Sequence, residues 1–139
     1  MKFVSLSAGL RFAPPFLGLV APLVSQVTAQ STTRVSLGTA GVQGNDSSYQ
    51  HSISANGRFV AFYSEATNLV PGDTNGADDI FVRDLFSGVT KLVSLSRGGA
   101  LGDGDSERPR ISADGRFLVF FSEATNLVPD DTNGVADVF

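Results

Sequence analysis

The sequence has no cysteine, no tryptophan, one methionine and one histidine, His51. Without cysteine there are no disulfides, no thiolate zinc sites and no thiol nucleophile. A lone histidine, with no second histidine and no serine or cysteine nucleophile motif, reads as a bystander rather than a general base. The nucleophile elbow G-x-S-x-G, the zinc pair H-E-x-x-H and a phosphate-cradling glycine loop do not occur. Positive charge is also scarce. The chain has 10 Lys and Arg against 14 Asp and Glu, a net −4, and Lys2 and Arg11 fall in the first 29 residues, which hold no acids. Residues 30–139 therefore carry a net −6. That surface repels phosphate backbones, so the expectation is no nucleic-acid partner. Charged residues make up 17% and apolar residues 42% of the 139, which fits one small globular domain rather than a disordered chain.

The opening residues read as a targeting segment. Two positive charges precede an apolar run from Phe12 to Val24, which ends in Val27-Thr28-Ala29. Small residues at those last places suit signal peptidase, so residues 1–29 are expected to be a signal peptide cut after Ala29. A membrane anchor is the alternative. The run is short for a bilayer core of roughly 30 Å, and Pro14, Pro15 and Pro22 interrupt it. The expectation is a secreted or periplasmic protein with no membrane span after cleavage. With no cysteine, it would be held by packing alone.

What the remainder has is repetition. Residues 34–81 align with 92–139 at an offset of about 58 without a gap, and about 27 of 48 pairs are identical. "ISANGRF" (53–59) matches "ISADGRF" (111–117), and "SEATNLVPGDTNG" (64–76) matches "SEATNLVPDDTNG" (122–134). Asn56-Gly57 and Asp114-Gly115 predict two-residue hairpin turns with both central residues at positive φ. "RFVAFYS" is nearly continuous apolar, which predicts a strand covered on both faces. "DIFVRDL" (79–85) predicts a third strand, Ser87-Gly88 a turn, and "TKLVSLS" (90–96) a fourth, with Val93 and Leu95 on one face and Leu92 on the other.

Four antiparallel strands per repeated unit, with no helical periodicity, predict an all-β chain of β-propeller blades. Blade one is placed at about 50–96 and an incomplete blade two at about 108–139, within a partial propeller over 30–139. "RVSL" (34–37) stands at the place of a further fourth strand. A β-sandwich is the runner-up. "ISADGRF", "SEATNLVP", "DTNG" and "FVRDL" also resemble the TolB-like, WD-repeat-like propeller repeats of exported bacterial proteins, over about residues 34–139. The resemblance implies the fold but no particular activity, because such propellers serve many roles.

The repeated loop, about 14 residues long, is long for a strand connection. Leu69 and Val70 are expected to anchor it. Pro71 and Asp73-Thr74-Asn75-Gly76 are expected to turn it, and Asp79 and Asp137 to accept backbone N–H groups and hold it shut. The alternative is calcium. Asp73, Asn75 and Asp79, with Asp131, Asn133 and Asp137, offer hard oxygen ligands, but without the glycine and late glutamate of the helical calcium loop. Asp103, Asp105 and Glu107 face Asn45, Ser47 and Tyr49 in the other copy, so they read as a solvated loop outside the repeat plan. Asn45-Asp46-Ser47 is a glycosylation sequon by pattern. Arg58 and Arg116 are expected to pair with acids of their own blade.

These readings lead to an exported, non-catalytic propeller segment with a binding or scaffold role and no cofactor. Its partner would be a protein or a glycan. Because two blades leave apolar sheet uncovered, closure calls for further blades, as in a longer parent protein, or for self-association. The alternatives are a propeller part of a secreted hydrolase or lyase, and a calcium-binding repeat protein.

Overall fold

A computed structural model describes residues 31–139. The expected signal peptide, 1–29, lies outside the described residues. The described chain is all-β, built as two propeller-like antiparallel sheets that do not close into a ring. β1 (Ser48–Ile53), β2 (Phe59–Ser64), β3 (Asp79–Asp84) and β4 (Val89–Leu92) form a four-stranded meander in chain order. β5 (Ser106–Ile111), β6 (Leu118–Ser122) and β7 (Asp137–Val138) form a three-stranded one.

Strand alternation sorts the apolar residues into two layers. Phe62 pairs with Phe81, and Phe81 with Leu92, so one face of the first sheet carries Val60, Phe62, Phe81 and Leu92. Ala66, Leu69 and Phe81 complete that buried cluster, with Val35 and Val70 packed against it. The opposite face presents Tyr63, Ile80 and Val93, and these pack with Phe120, Ala124 and Leu127 of the second unit. The rings of Phe62 and Phe81 stack at 5.8 Å, and those of Phe120 and Phe139, 58 positions on, at 5.9 Å. β2 is covered on both faces, as its apolar run predicts. β6 is covered on one only. Its other face, with Val119 and Phe121, has no sheet against it among the described residues.

Several local expectations need correction. Gly57 and Gly115 have φ of +70° and +73°, but Asn56 and Asp114 are not at positive φ. In place of a doubly left-handed turn, Gly57 N–H closes a four-residue turn on Ser54 C=O at 2.9 Å. The Asn56 Oδ1 accepts from Arg58 N–H and from the Ser54 hydroxyl. That side-chain bond fixes the turn with one left-handed glycine. The fourth strand is shorter than predicted, ending at Leu92, although Val93 N–H still reaches Ile80 C=O at 2.8 Å. Leu92 and Val93 do lie on opposite faces, while Leu95 is 37% exposed. "RVSL" forms no strand. Leu37 makes a single bridge to Gln43, as its counterpart Leu95 does to Leu101, and its carbonyl accepts from the Arg83 and Thr90 side chains.

Candidate functional site

The feature with most chemistry is the repeated loop between second and third strands, residues 65–78 and 123–136. Its entry is the same in both units. Ser64 Oγ accepts from Ala66 N–H and donates to Ser47 C=O; Ser122 does the same with Ala124 and Asp105. Asn68 donates to Gln43 C=O at 2.8 Å and Asn126 to Leu101 C=O at 2.9 Å. Thr67 N–H donates to Asn45 Oδ1, and Thr125 N–H to Asp103 Oδ1. Asp103 is thus the counterpart of Asn45: it lies exposed in a loop, as expected, but it belongs to the repeat plan. Amide and carboxylate both offer the oxygen that the loop requires. Glu107, by contrast, lies on β5 and not in that loop.

The leucine anchors both loops, and the valine beside it packs on the core in the first copy only. Leu69 and Leu127 are buried, Val70 is half-buried and Val128 exposed. Farther on, Asn75 Nδ2 donates to Asp79 Oδ2 at 2.9 Å, and Asn133 Nδ2 to Asp137 Oδ2 at 2.7 Å. The amide oxygens turn the other way, to Ala77 N–H and Val135 N–H. Asp79 is fully buried, and its second oxygen accepts from the Ser94 hydroxyl, which itself accepts from Ile80 N–H. The expectation that Asp79 would take backbone N–H groups is corrected to side-chain donors. The nearby backbone donors are committed to the strand pairing of Ser64 with Asp79 and to Ser94.

The two units are joined at this loop. Asn75 Nδ2 also donates to Gly102 C=O at 3.0 Å, Asp78 N–H to Asp105 Oδ1 at 3.0 Å, and Ser106 N–H to Asp78 C=O at 2.7 Å. Negative charge accumulates there. Asp73 is only 7% exposed and accepts no hydrogen bond from the described residues. Burial, then the charge of Asp79, pushes its carboxyl up to about 6. Asp78 is likewise pushed up to about 6, by burial and then by Asp105, Glu65, Glu107 and Asp79.

As for calcium, the loops bring Asp73 and Asp79 together, but Asn75 and Asn133 present N–H groups to the carboxylates in place of oxygen. Among the described residues, no three carboxylate or histidine side chains converge as metal ligands. The donor geometry fits a closed turn. Of the arginines, Arg58 grips Asp84 with two bonds, at 3.0 and 2.7 Å, which holds the Asp84 carboxyl well below its ordinary range. Arg116 meets no acid among the described residues and lies over its own Phe117 ring at 5.6 Å. The buried Arg83 escapes sequence reading. Its Nη1 donates to Leu37 C=O, Gly38 C=O and Thr90 Oγ1, tying residues 37–38 to the sheet. Its one signal is an arginine on the inward alternation of "DIFVRDL". His51 is exposed on β1.

Both raised carboxyls bind protons in the folded chain between about pH 4 and 6 that the unfolded chain does not bind. Their contribution is therefore destabilising above about pH 6 and is relieved as pH falls toward the unfolded value. Asp73→Asn is expected to raise stability at pH 7.5 by on the order of 1–2 kcal/mol, and to flatten the rise from pH 7.5 to 5 seen in the parent. Urea unfolding at both pH values measures this; a variant less stable than the parent at pH 7.5 would contradict it. No protein-family model, no curated protein and no solved structure matches this chain.

Proposed function

We propose that this chain is an exported, non-catalytic propeller repeat module of the TolB-like, WD-repeat-like kind, serving binding or scaffolding. The supporting observation is how the repeated polar residues are used. Ser64, Asn68, Asn75 and Asp79, and their counterparts Ser122, Asn126, Asn133 and Asp137, all bond to backbone or to one another to hold the loop. Their repetition is explained by architecture, without a reaction. A surface suited to a protein or glycan partner lies at the hairpin rim. There Arg58 sits over Phe59 at 4.8 Å and Phe86 at 5.7 Å, and Phe86 is 88% exposed. Aromatic faces beside a fixed guanidinium suit sugar rings and peptide side chains alike.

The test is expression of the whole chain in an export-competent bacterium, followed by peptide and glycan arrays. The expected outcome is a mature N-terminus at Gln30, binding without turnover, and binding lost in Phe86→Ser with the fold intact. Hydrolysis or elimination of any array member by the purified chain would overturn the non-catalytic reading, and a retained N-terminus in the cytoplasm would overturn export.

A further inference from the structure

The two ends of the sheets differ in charge. The long loops and the connection between the sheets, residues 65–78, 93–105 and 123–136, hold eight acids and one arginine. The tight turns at the opposite end, residues 54–58, 85–88 and 112–117, hold Arg58, Arg116 and one acid, Asp114. Strands of six residues set the ends roughly 20 Å apart, more than twice the Debye length of about 8 Å at physiological salt. An anion is therefore repelled at the loop end and meets little of that field at the turns. There, one place combines a flat apolar face with unspent donors. Phe86 is 88% exposed in the β3–β4 turn, with Leu85 next to it at 41%. The Arg58 Nε and Nη2 hold Asp84, whose Oδ1 also accepts from Phe86 N–H. Arg58 Nη1 has no acceptor among the described residues. Asn56 Oδ1 takes Arg58 N–H and the Ser54 hydroxyl, which fixes the amide and leaves Nδ2 without an acceptor among the described residues. Acceptors at this place are engaged, and donors are left over. The fork on Asp84, and Ala55 N–H donating to Ala113 C=O at 2.9 Å, hold the groups ready before a ligand arrives.

We propose that this turn binds an acidic polysaccharide, one whose sugar rings carry carboxylates. A pyranose ring lays its C–H face on Phe86, and its carboxylate accepts from Arg58 Nη1 and Asn56 Nδ2. A ligand without acceptors would leave both donors unused. The place is too small for a protein partner. A stable protein contact buries about 800 Å² on each side, and Leu85 and Phe86 are the only exposed large apolar side chains of residues 54–58 and 85–88. One exposed ring beside a fixed guanidinium, 5.7 Å from its centroid, matches one charged sugar.

The inference rests on the reading of the chain as a non-catalytic binding module, and the test separates the two. The whole chain is titrated by calorimetry with short oligogalacturonate, with oligogalactose as the uncharged match and with polyglutamate as an acidic peptide. Oligogalacturonate is expected to bind, and the other two to bind about tenfold more weakly or less. Asn56→Asp and Phe86→Ser are each expected to weaken oligogalacturonate by about tenfold or more, with the parent's urea midpoint kept. The first has a precedent in the chain itself, where Asp114 fills the same place in the second hairpin. Oligogalactose bound as tightly as oligogalacturonate would overturn the acidic assignment, and polyglutamate bound as tightly would replace the glycan with an acidic protein. Oligogalacturonate binding that survives both substitutions lies elsewhere and overturns the site. If none of the three binds, the inference fails. The peptide and glycan arrays then decide the wider reading: an array ligand lost in Phe86→Ser leaves the binding module standing, and a blank array sinks both.

Discussion

Asp79→Ala is expected to cost about 3–4 kcal/mol in urea unfolding, far more than removal of any exposed acid of this chain. The carboxylate is fully buried and accepts from two side chains, Asn75 Nδ2 at 2.9 Å and the Ser94 hydroxyl. Ser94 is itself fully buried, so its hydroxyl would be left without an acceptor. The Asn75 Nδ2 group would also lose one of its two bonds, keeping only Gly102 C=O. An isolated buried carboxylate is costly, and burial does push the Asp79 pKa up, with the bonds from Ser94 and Asn75 opposing. The bonds, not the charge as such, make the residue useful. Asp79→Asn is therefore expected to fall between the two, because its amide N–H groups face those of Asn75. Asp137→Ala is the internal control. Its partner Asn133 is exposed, so its cost is expected to stay below about 1 kcal/mol. Equal costs at Asp79 and Asp137 would contradict this account.

Leu69→Ala is expected to cost about 3 kcal/mol, within the usual 2–5 kcal/mol for a leucine truncated in a packed core. Leu69 is 1% exposed and completes the cluster of Val60, Phe62, Ala66 and Phe81. It is also the one fully buried large side chain by which a long loop grips its sheet, with Val70 packed beside it, so its loss removes packing and loosens the loop together. The backbone there is close as well. A Cβ on Gly38 would lie 2.8 Å from the Leu69 carbonyl oxygen. Chemical denaturation of Leu69→Ala beside Val128→Ala separates the buried anchor from an exposed valine of the other repeat's loop. The second is expected to change stability by no more than about 0.5 kcal/mol. Comparable losses in the two variants would mean that the loop is held by its polar bonds alone.

The parts of this architecture that could be read from sequence are those whose signal is local. The apolar run of β2, the glycines of the hairpins and the Leu69 position each depend on residues within a turn or two. What escaped reading depends on partners far along the chain. Arg83 is explained only by the carbonyls of Leu37 and Gly38, more than 40 positions away. Asp103 differs from Asn45 in charge, whereas the loop needs only an oxygen acceptor, which both supply. The positions of the Asn56-Gly57 and Asp114-Gly115 turns are local signals but their type is not, since the Asn56 and Asp114 side chains supply bonds that backbone preferences do not include. In the repeated loop the residues of interest were found, but which atom of Asn75 faces Asp79 is a matter of geometry that residue type leaves open.

That atom is also where the central claim is most exposed to test. If the repeated loops are closed turns, Asn75 acts through its N–H group, and Asn75→Asp sets a carboxylate against the buried carboxylate of Asp79. The expected result is a loss of about 2–3 kcal/mol in urea unfolding at pH 7.5, the same in chelator and in about 5 mM calcium, a concentration that saturates ordinary extracellular calcium loops. If the loops are cation sites, the added carboxylate strengthens the site. Stability of the variant would then rise with calcium above that of the parent and collapse on chelation, and that result would contradict the account.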